Sequence, residues 1–215
     1  MVFLFNLMVK CTGWPLWKII IKPKYYFVDR SVQGRRIRGK AIIMSNHTDI
    51  WDYAAMMFLF PWRILRCVVA ELMYEKNMFM TVLLKGLGTI RVDRNNNDFA
   101  FIGKCCLLLN KNGVVELFPE SRLPLPKEKE LLPFKPSITY LALESGAPII
   151  PVYTDGNYFG KGYNHTIVGT PIDVRQFYEE TCDEKENIEK ITSILREKIN
   201  ELKEKLEQAK MDSEA

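Results

Sequence analysis

The chain has 215 residues, of which 47% are hydrophobic and 26% are charged. The length allows one domain with a sizeable core, and the composition argues against an intrinsically disordered chain. The five cysteines are odd in number and show no Cys-x-x-Cys spacing. They indicate reduced thiols in a cytosolic compartment, and they argue against a disulfide framework or a zinc site.

The net charge of +4 is distributed unevenly along the chain. Residues 1–40 contain nine Lys or Arg and one acidic residue, among many large apolar and aromatic side chains. Basic residues interleaved with aromatic ones are typical of a segment that lies in the interface of an anionic membrane. The longest apolar runs are far shorter than the ~20 residues that span a bilayer, and Pro15 and Pro23 interrupt the segment. The sequence therefore predicts a monotopic, helical anchor over residues 1–28, although residues 25–28 suit the core of the domain equally well.

Helix and strand patterns alternate along the rest of the chain. They predict a single α/β domain over residues 29–210 and a disordered tail over residues 211–215. In chain order the patterns predict a strand at 37–44, a helix at 50–60, a strand at 64–69, a helix at 77–84, a strand at 89–92, a helix at 99–109, a strand at 114–118, a helix at 137–144, a strand at 148–154, a short strand at 167–168 and one long amphipathic helix at 183–210.

His47 and Asp52 lie between the first predicted strand and the helix that follows it. A turn from strand end to helix brings the carboxylate to one ring nitrogen and leaves the other nitrogen as a general base near neutral pH. The alternative is that Asp49 caps the helix, Asp52 interacts with its dipole, and His47 is only a polar residue in a turn. The second histidine, His165, has no partner pattern and is expected at the surface.

Arg94 and Arg122 each follow a short strand-like run. Open α/β sheets bind ligands at the carboxyl ends of strands, and two guanidinium groups match the oxygens of a phosphate. The alternative is a pair of surface or ion-paired arginines. Arg91 is a further basic candidate on the opposite face of its strand. Glu120 is interpreted either as a carboxylate that orients an arginine or a loop, or as a solvated turn residue.

Four blocks occur in a fixed order along the chain: His47-x4-Asp52, the run from Gly88 to Arg94, Phe118-Pro119-Glu120, and the run from Pro148 to Pro151. Together they resemble the signature of the glycerolipid acyltransferase family, of the bacterial 1-acyl-glycerol-3-phosphate acyltransferase type, over about residues 30–200. The resemblance implies a mixed central sheet flanked by helices. It also implies O-acyl transfer from acyl-coenzyme A or acyl-acyl carrier protein to the hydroxyl of a lysophospholipid, most readily 1-acyl-glycerol-3-phosphate.

The resemblance implies a role for each residue that matches a block. Catalysis falls to His47 and Asp52, phosphate binding to Arg94, Arg122 and Gly88, and support of the third and fourth blocks to Glu120, Pro119 and Pro151. No cofactor or metal is implied, because the thioester already carries the activation. The expected partners are an anionic membrane surface, the thioester donor and a lysophospholipid, with no nucleic acid. The expected location is the cytoplasmic face of the cell membrane, as a peripheral protein.

The third block departs from the family's usual Phe-Pro-Glu-Gly-Thr-Arg, because Ser121 stands in place of two residues and brings Arg122 one position closer. Asp49 also stands where the family often has serine. These departures bear on the acceptor, so two alternatives are kept: an acyltransferase for a different lyso-lipid, and a membrane lipid-binding protein with little catalysis. A hydrolase with the same His–Asp pair is a third reading, and the absence of a Gly-x-Ser-x-Gly motif counts against it.

Overall fold

A computed structural model describes residues 1–93, 100–128, 130–160 and 162–214. They form a seven-stranded sheet with helices on both faces. The helices are α1 Val2–Ile20, α2 Asp52–Leu59, α3 Glu71–Glu75, α4 Met78–Leu87, α5 Ala100–Asn110, α6 Ser137–Ser145 and α7 Glu184–Glu214. The strands are β1 Pro23–Phe27, β2 Ala41–Ser45, β3 Leu65–Ala70, β4 Ile90–Val92, β5 Val114–Leu117, β6 Ile149–Thr154 and β7 Asn164–Val168. A short 3-10 helix spans Val174–Phe177.

The strand order across the sheet is β1-β7-β6-β2-β5-β3-β4. Neighbouring strands are parallel except β6 and β7, which are antiparallel. The prediction of a single α/β domain with a mixed central sheet flanked by helices is confirmed, as is the long C-terminal helix. The parallel pairing brings the carboxyl ends of β2, β5 and β6 to one edge of the sheet.

Strand β2 lies at the centre of the sheet and carries the His47 loop at its carboxyl end. All five residues of β2 are buried, with Ile42 and Met44 packed on one face and Ala41 and Ile43 on the other. Helix α2, which follows β2, packs on the second face, whereas α6, which follows β5, packs on the first. Neighbouring strands therefore send their chains to opposite faces. The crevice between their carboxyl ends is the place where open α/β sheets bind ligands.

Helix α1 packs one face against α2 and α4. Asn6 Nδ2 donates to the carbonyl oxygen of Leu87 at 3.1 Å, and Lys10 Nζ donates to the carbonyls of Pro61 and Arg63 at 3.0 and 2.6 Å. Burial lowers the pKa of Lys10 to about 8. The opposite face of α1 consists of exposed apolar side chains: Phe3, Leu4, Leu7, Met8, Leu16, Ile19 and Ile20. In the part of the chain that the structure describes, no helix has both the length and the apolar character needed to cross a membrane.

Several boundaries differ from the predicted ones. The segment predicted as an anchor over residues 1–28 ends in β1, which pairs with β7 and belongs to the sheet. The pattern missed β1 because basic and aromatic residues also suit an edge strand that is half buried. Helix α3 was not predicted. Helix α7 continues to Glu214, so the tail predicted to be disordered over 211–215 is helical up to its last described residue.

The expectation that His165 lies at the surface is wrong. It is buried in β7, with 8% of its surface exposed. Its Nδ1 lies 3.1 Å from the hydroxyl of Tyr26 on β1, and the two rings stack. Because β1 was not among the predicted strands, the cover that it gives to β7 was not foreseen.

Candidate active site

The side chains of His47 and Asp52 form a hydrogen-bonded pair at the carboxyl end of β2. His47 follows the last residue of β2 by two positions, and Asp52 is the first residue of α2. The Nδ1 of His47 lies 2.8 Å from Oδ2 of Asp52; the His47 side chain is 18% exposed and that of Asp52 is fully buried. Because Nδ1 donates to the carboxylate, Nε2 carries the free lone pair. Among the described residues, Nε2 has no hydrogen-bond partner.

Five hydrogen bonds hold the carboxylate of Asp52 in one orientation. Its Oδ2 accepts from His47 and from the backbone N–H groups of Thr48 and Asp49 at 2.6 and 2.9 Å. Its Oδ1 accepts from the hydroxyls of Thr48 and Tyr158 at 2.8 and 2.6 Å. Burial, together with the charge of Asp52, raises the pKa of Tyr158 well above its ordinary value, so the phenol keeps its proton and donates. A carboxylate surrounded only by donors is suited to orient His47 and to stabilise a positive charge on it.

The loop after β5 contacts His47 from another side. The buried carboxylate of Glu120 accepts from the backbone N–H of His47 at 2.8 Å and from that of Leu132 at 2.9 Å. Burial raises the pKa of Glu120, and the two N–H groups lower it by a smaller amount. The Phe118 ring stacks on the His47 ring with 4.4 Å between centroids. Of the two interpretations of Glu120, the structure therefore agrees with the one in which it orients a loop.

The C-terminal helix supports the same loop. Arg196 on α7 donates to the carbonyls of Leu131 and Leu132 at 2.6 and 3.3 Å. The N–H of Leu132 donates in turn to Glu120. A run of hydrogen bonds therefore connects α7 to the backbone N–H of His47, and the packing of α7 contributes to the position of the imidazole.

The loop after β6 closes the site. The side chain of Asn46 and the backbone of Thr154 exchange two hydrogen bonds of 2.9 Å each. Gly156 has a φ of +71°, and a Cβ at this position would lie 2.5 Å from the hydroxyl oxygen of Thr48. Because that hydroxyl donates to Asp52, the small residue at 156 is needed for the hydrogen-bond set around the carboxylate.

A second carboxyl group, that of Glu116 on β5, is fully buried behind the pair. It lies in register with Ile43 of β2 and Cys67 of β3. Neither of its oxygens has a hydrogen-bond partner among the described residues. Burial, and to a smaller extent the charge of Asp52, raises the pKa of Glu116 well above its ordinary value. Glu116 is therefore held as a neutral carboxylic acid.

The arginines that the sequence suggests for phosphate binding have different surroundings. The two terminal nitrogens of Arg122 each lie 2.7 Å from a carboxylate oxygen of Glu128, and the pair is partly exposed. Arg91 pairs with two acidic residues of α3. Arg94 lies outside the described residues. The ion-paired alternative thus describes Arg122, and Arg91 is ion-paired as well.

The resemblance also gives roles to Gly88, Pro119 and Pro151, and the structure shows the contacts of each. Gly88 ends α4 with a φ of +75°, and a Cβ there would lie 1.5 Å from a guanidinium nitrogen of Arg66. Pro119 is buried, and its carbonyl accepts a backbone N–H from the loop before α6 at 2.8 Å. Pro151 is buried in β6, and its carbonyl accepts from the N–H of Gly169 at 2.8 Å. The close approach at Gly88 is made by Arg66, so its role in phosphate binding stays a prediction.

Four residues around the pair were missed by the sequence reasoning: Asn46, Thr48, Glu116 and Tyr158. Two of them, Asn46 and Thr48, flank His47 in the chain, and polar side chains beside a strand end are the sequence signal that marks them. Tyr158 contacts Asp52 although the two residues are 106 positions apart in the sequence. Glu116 comes near the pair because β5 lies beside β2 in the sheet. No sequence motif marks either residue. Among the described residues, no group of three His, Cys, Asp or Glu side chains is placed to share a metal ion.

The chain matches the acyltransferase family model over residues 10–155. It is 28% identical over 171 residues to the 1-acyl-sn-glycerol-3-phosphate acyltransferase of Limnanthes douglasii, covering 71% of this chain and 58% of that one. It is 29% identical over 114 residues to 1-acyl-sn-glycerol-3-phosphate acyltransferase beta of Homo sapiens, covering 52% and 40%. The chain thus spans about half the length of these two relatives.

In two further comparisons the match covers more of the other protein. The 1-acyl-sn-glycerol-3-phosphate acyltransferase of Bacillus subtilis is 27% identical over 173 residues, 78% of this chain and 83% of the relative. The crystal structure of the 1-acyl-sn-glycerophosphate (LPA) acyltransferase of Thermotoga maritima superposes with a TM-score of 0.66 at 15% identity, covering 92% and 79% of the two chains, and this likeness concerns the fold. The family match includes the His47–Asp52 pair and the loop that carries Glu120, and it confirms the resemblance seen in the sequence: the chain belongs to the acyltransferase family.

Proposed function

We propose that this protein is an O-acyltransferase that moves a fatty acyl group from a thioester to the free hydroxyl of a lysophospholipid. The acceptor is 1-acyl-glycerol-3-phosphate, the product is phosphatidic acid, and the donor is acyl-coenzyme A or acyl-acyl carrier protein. The observation that carries the proposal is the His47–Asp52 pair, because it joins a buried carboxylate to a partly exposed imidazole with a free Nε2. The names of the relatives support the choice of acceptor.

In the proposed reaction, Nε2 of His47 takes the proton of the acceptor hydroxyl while the hydroxyl oxygen attacks the thioester carbonyl. The new C–O bond gives a tetrahedral intermediate, and its collapse breaks the C–S bond and releases the thiolate. The imidazolium returns its proton to the thiolate, so the products are an ester and a free thiol. Asp52 fixes the tautomer and stabilises the imidazolium through the 2.8 Å hydrogen bond. The thioester supplies the activation, so this reaction needs no cofactor.

In the proposed complex, Arg122 and Arg94 bind the phosphate of the acceptor. Arg122 follows the turn in which the N–H of Ser121 donates to the carbonyl of Phe118 at 3.0 Å, and the Phe118 ring stacks on His47. The guanidinium therefore extends from the same loop that contacts the general base. Its planar fork matches a phosphate, as the bidentate pair with a carboxylate illustrates.

In the proposed membrane-bound state, the exposed apolar face of α1 contacts the membrane, and the neighbouring helix α4 extends this contact. Met78, Phe79 and Val82 of α4 are exposed, and α4 lies beside α1 with Gly86 against the ring of Phe5. A patch of this kind on a folded domain favours transfer into lipid, and basic residues in the same N-terminal segment favour anionic headgroups. The proposed location is therefore the cytoplasmic face of the cell membrane, as a peripheral protein with no nucleic-acid partner.

Thiol release by purified wild type and His47→Ala tests the reaction, with palmitoyl-coenzyme A or palmitoyl-acyl carrier protein as donor and with or without lysophosphatidic acid. We expect release that requires both His47 and the acceptor, and unchanged circular dichroism of the variant. Release that depends on His47 but not on lysophosphatidic acid would indicate a hydrolase or a different acceptor. Binding of lysophosphatidic acid without release from either donor would favour a lipid-binding protein.

Co-sedimentation with vesicles that contain phosphatidylglycerol tests the membrane assignment. The variant Leu4→Ser/Leu7→Ser changes the outer face of α1, and Leu107→Ser is its control because Leu107 is 66% exposed on α5. We expect weaker sedimentation of the α1 variant and no change for the control. Equal sedimentation of the two would contradict the assignment.

A further inference from the structure

The guanidinium of Arg122, the candidate phosphate-binding group, is hydrogen-bonded to a carboxylate. Its Nη1 and Nη2 donate to the two oxygens of Glu128, each at 2.7 Å, and Nη1 also donates to the carbonyl of Leu123 at 3.1 Å. The guanidinium of Arg122 therefore meets the same two-oxygen edge that a phosphate would present.

The carboxylate of Glu128 is placed by its own turn and not only by the arginine. The backbone N–H of Glu128 donates to the carbonyl of Leu125 at 2.9 Å. The N–H of Leu125 donates back to Oε2 of Glu128 at 2.7 Å. Hydrogen bonds from Arg122 and from Leu125 lower the pKa of Glu128 to about 2, so the group is charged at neutral pH.

We propose that Glu128 competes with the acceptor phosphate for Arg122 and so raises the KM for the acceptor, because the phosphate binds Arg122 only after it displaces the Glu128 carboxylate. This inference rests on the proposed function, in which Arg122 binds that phosphate. A phosphate monoester carries a charge of about −1.5 to −2 at neutral pH and three acceptor oxygens, whereas a carboxylate carries a single charge and two oxygens. The monoester therefore competes well for the guanidinium, and a phosphodiester headgroup with one charge competes poorly.

The exchange is feasible because both partners are partly exposed. The side chains of Arg122 and Glu128 are 48% and 31% exposed. Ion pairs at this exposure are screened by water and salt and contribute little net stability. The pair therefore opens at little cost when a competing phosphate arrives. Glu128 thus raises the KM of every acceptor whose phosphate uses Arg122, and it does so by the same factor for each.

The test compares lysophosphatidic acid with lysophosphatidylglycerol as acceptors for wild type and Glu128→Gln. Glutamine keeps an oxygen for the N–H of Leu125 and removes the charge. We expect the KM for lysophosphatidic acid to fall by up to about fivefold and that for lysophosphatidylglycerol by no more than the same factor, with kcat unchanged, as expected when a weak exposed pair is removed. The matched control is Asp173→Asn, since Asp173 forms a similar two-point pair with Arg175 on the 3-10 helix and should leave both KM values unchanged.

Arg122→Gln separates this inference from the function on which it rests. If Arg122→Gln leaves the KM for lysophosphatidic acid unchanged, the phosphate role of Arg122 fails, and the inference fails with it. If Arg122→Gln raises that KM while Glu128→Gln and a second variant, Glu128→Ala, change neither acceptor's KM, the inference is overturned and the proposed function stands. A fall confined to the KM of acyl-coenzyme A would assign the displacing phosphate to the donor and would also overturn it. Equilibrium binding of lysophosphatidic acid in detergent gives the same comparison without turnover.

Discussion

Replacing Asp52 by Asn removes one charge from the site while preserving most of its geometry. The amide oxygen of Asn can take the place of Oδ2, which accepts from His47 and from the two N–H groups of Thr48 and Asp49. The amide nitrogen then takes the place of Oδ1, where its partners are the hydroxyls of Thr48 and Tyr158. Because hydroxyls accept as well as donate, both can rotate to receive the amide. The fold and the imidazole tautomer should therefore survive the substitution.

What Asp52→Asn removes is the attraction between the carboxylate and the imidazolium that forms during proton transfer. The hydrogen bond of 2.8 Å places the two charge centres about 4 Å apart; at an effective dielectric constant of about 20 this attraction is about 4 kcal/mol. Since about 1.4 kcal/mol corresponds to a factor of ten in rate, kcat should fall by about 10³-fold. The melting temperature should change little by comparison.

The assay is thiol release at saturating lysophosphatidic acid, with thermal unfolding measured on the same preparations. The control is Asp49→Asn, which changes a carboxylate in the same loop; its one hydrogen-bond donor among the described residues is the backbone N–H of Trp51. Its kcat should stay within about twofold of wild type, as for an ordinary surface substitution. A fall of less than about tenfold in Asp52→Asn would refute the reasoning. It would leave Asp52 as a residue that only organises the start of α2.

Two further substitutions test the surroundings of the pair. Burial raises the pKa of Glu116, so its stabilising contribution is present below the pKa of the unfolded chain and is lost as pH rises. Above about pH 5, the free energy of unfolding of wild type should therefore fall relative to that of Glu116→Gln by about 1.4 kcal/mol per pH unit. Urea unfolding across this range measures it, and parallel pH profiles would contradict it. Gly156→Ala should lower both stability and kcat, because the left-handed backbone costs about 1–2 kcal/mol and the new Cβ meets the Thr48 hydroxyl. Gly39 is the control, because its φ is +70° and an added Cβ would have nothing within 4 Å. Gly39→Ala should therefore lower stability and leave kcat unchanged. A loss of kcat in Gly39→Ala equal to that in Gly156→Ala would contradict the role of Thr48.

The parts of the site that the sequence predicts are those that lie close together in the chain. His47 and Asp52 are five residues apart, and a strand end followed by a helix leaves few ways to arrange them. Tyr158 could not be found in this way, since its contact with Asp52 spans 106 positions and depends on where β6 lies beside β2. Glu116 could not be found either. Its place in a strand pattern reads as an exposed position, and only the burial of both sheet faces makes it a neutral acid.

The boundary predicted after residue 28 was the part of the fold that the sequence placed least well. Composition describes which surface a residue prefers, but the residues of β1 and the inner face of α1 meet the domain, whereas the outer face of α1 meets solvent. A segment with two faces cannot be assigned to anchor or core by composition alone. The same limit applies to Arg122, whose ion pair with Glu128 depends on a turn that no motif describes.

Helix α1 is linked to the active site by direct packing. The ring of Trp17 on its inner face lies 5.8 Å from that of Tyr158, and the Tyr158 hydroxyl donates to Asp52 at 2.6 Å. With the outer face of α1 in lipid, as proposed, the distance from the membrane surface to the imidazole is set by packed side chains and not by a flexible tether. An acceptor whose acyl chain stays in the bilayer presents its hydroxyl at a nearly constant depth, and a base held at a matching height meets it without a search. The packing of Trp17 on Tyr158 therefore serves the proposed reaction as well as the fold, because it holds the proposed membrane surface and the proposed catalytic pair in one rigid unit.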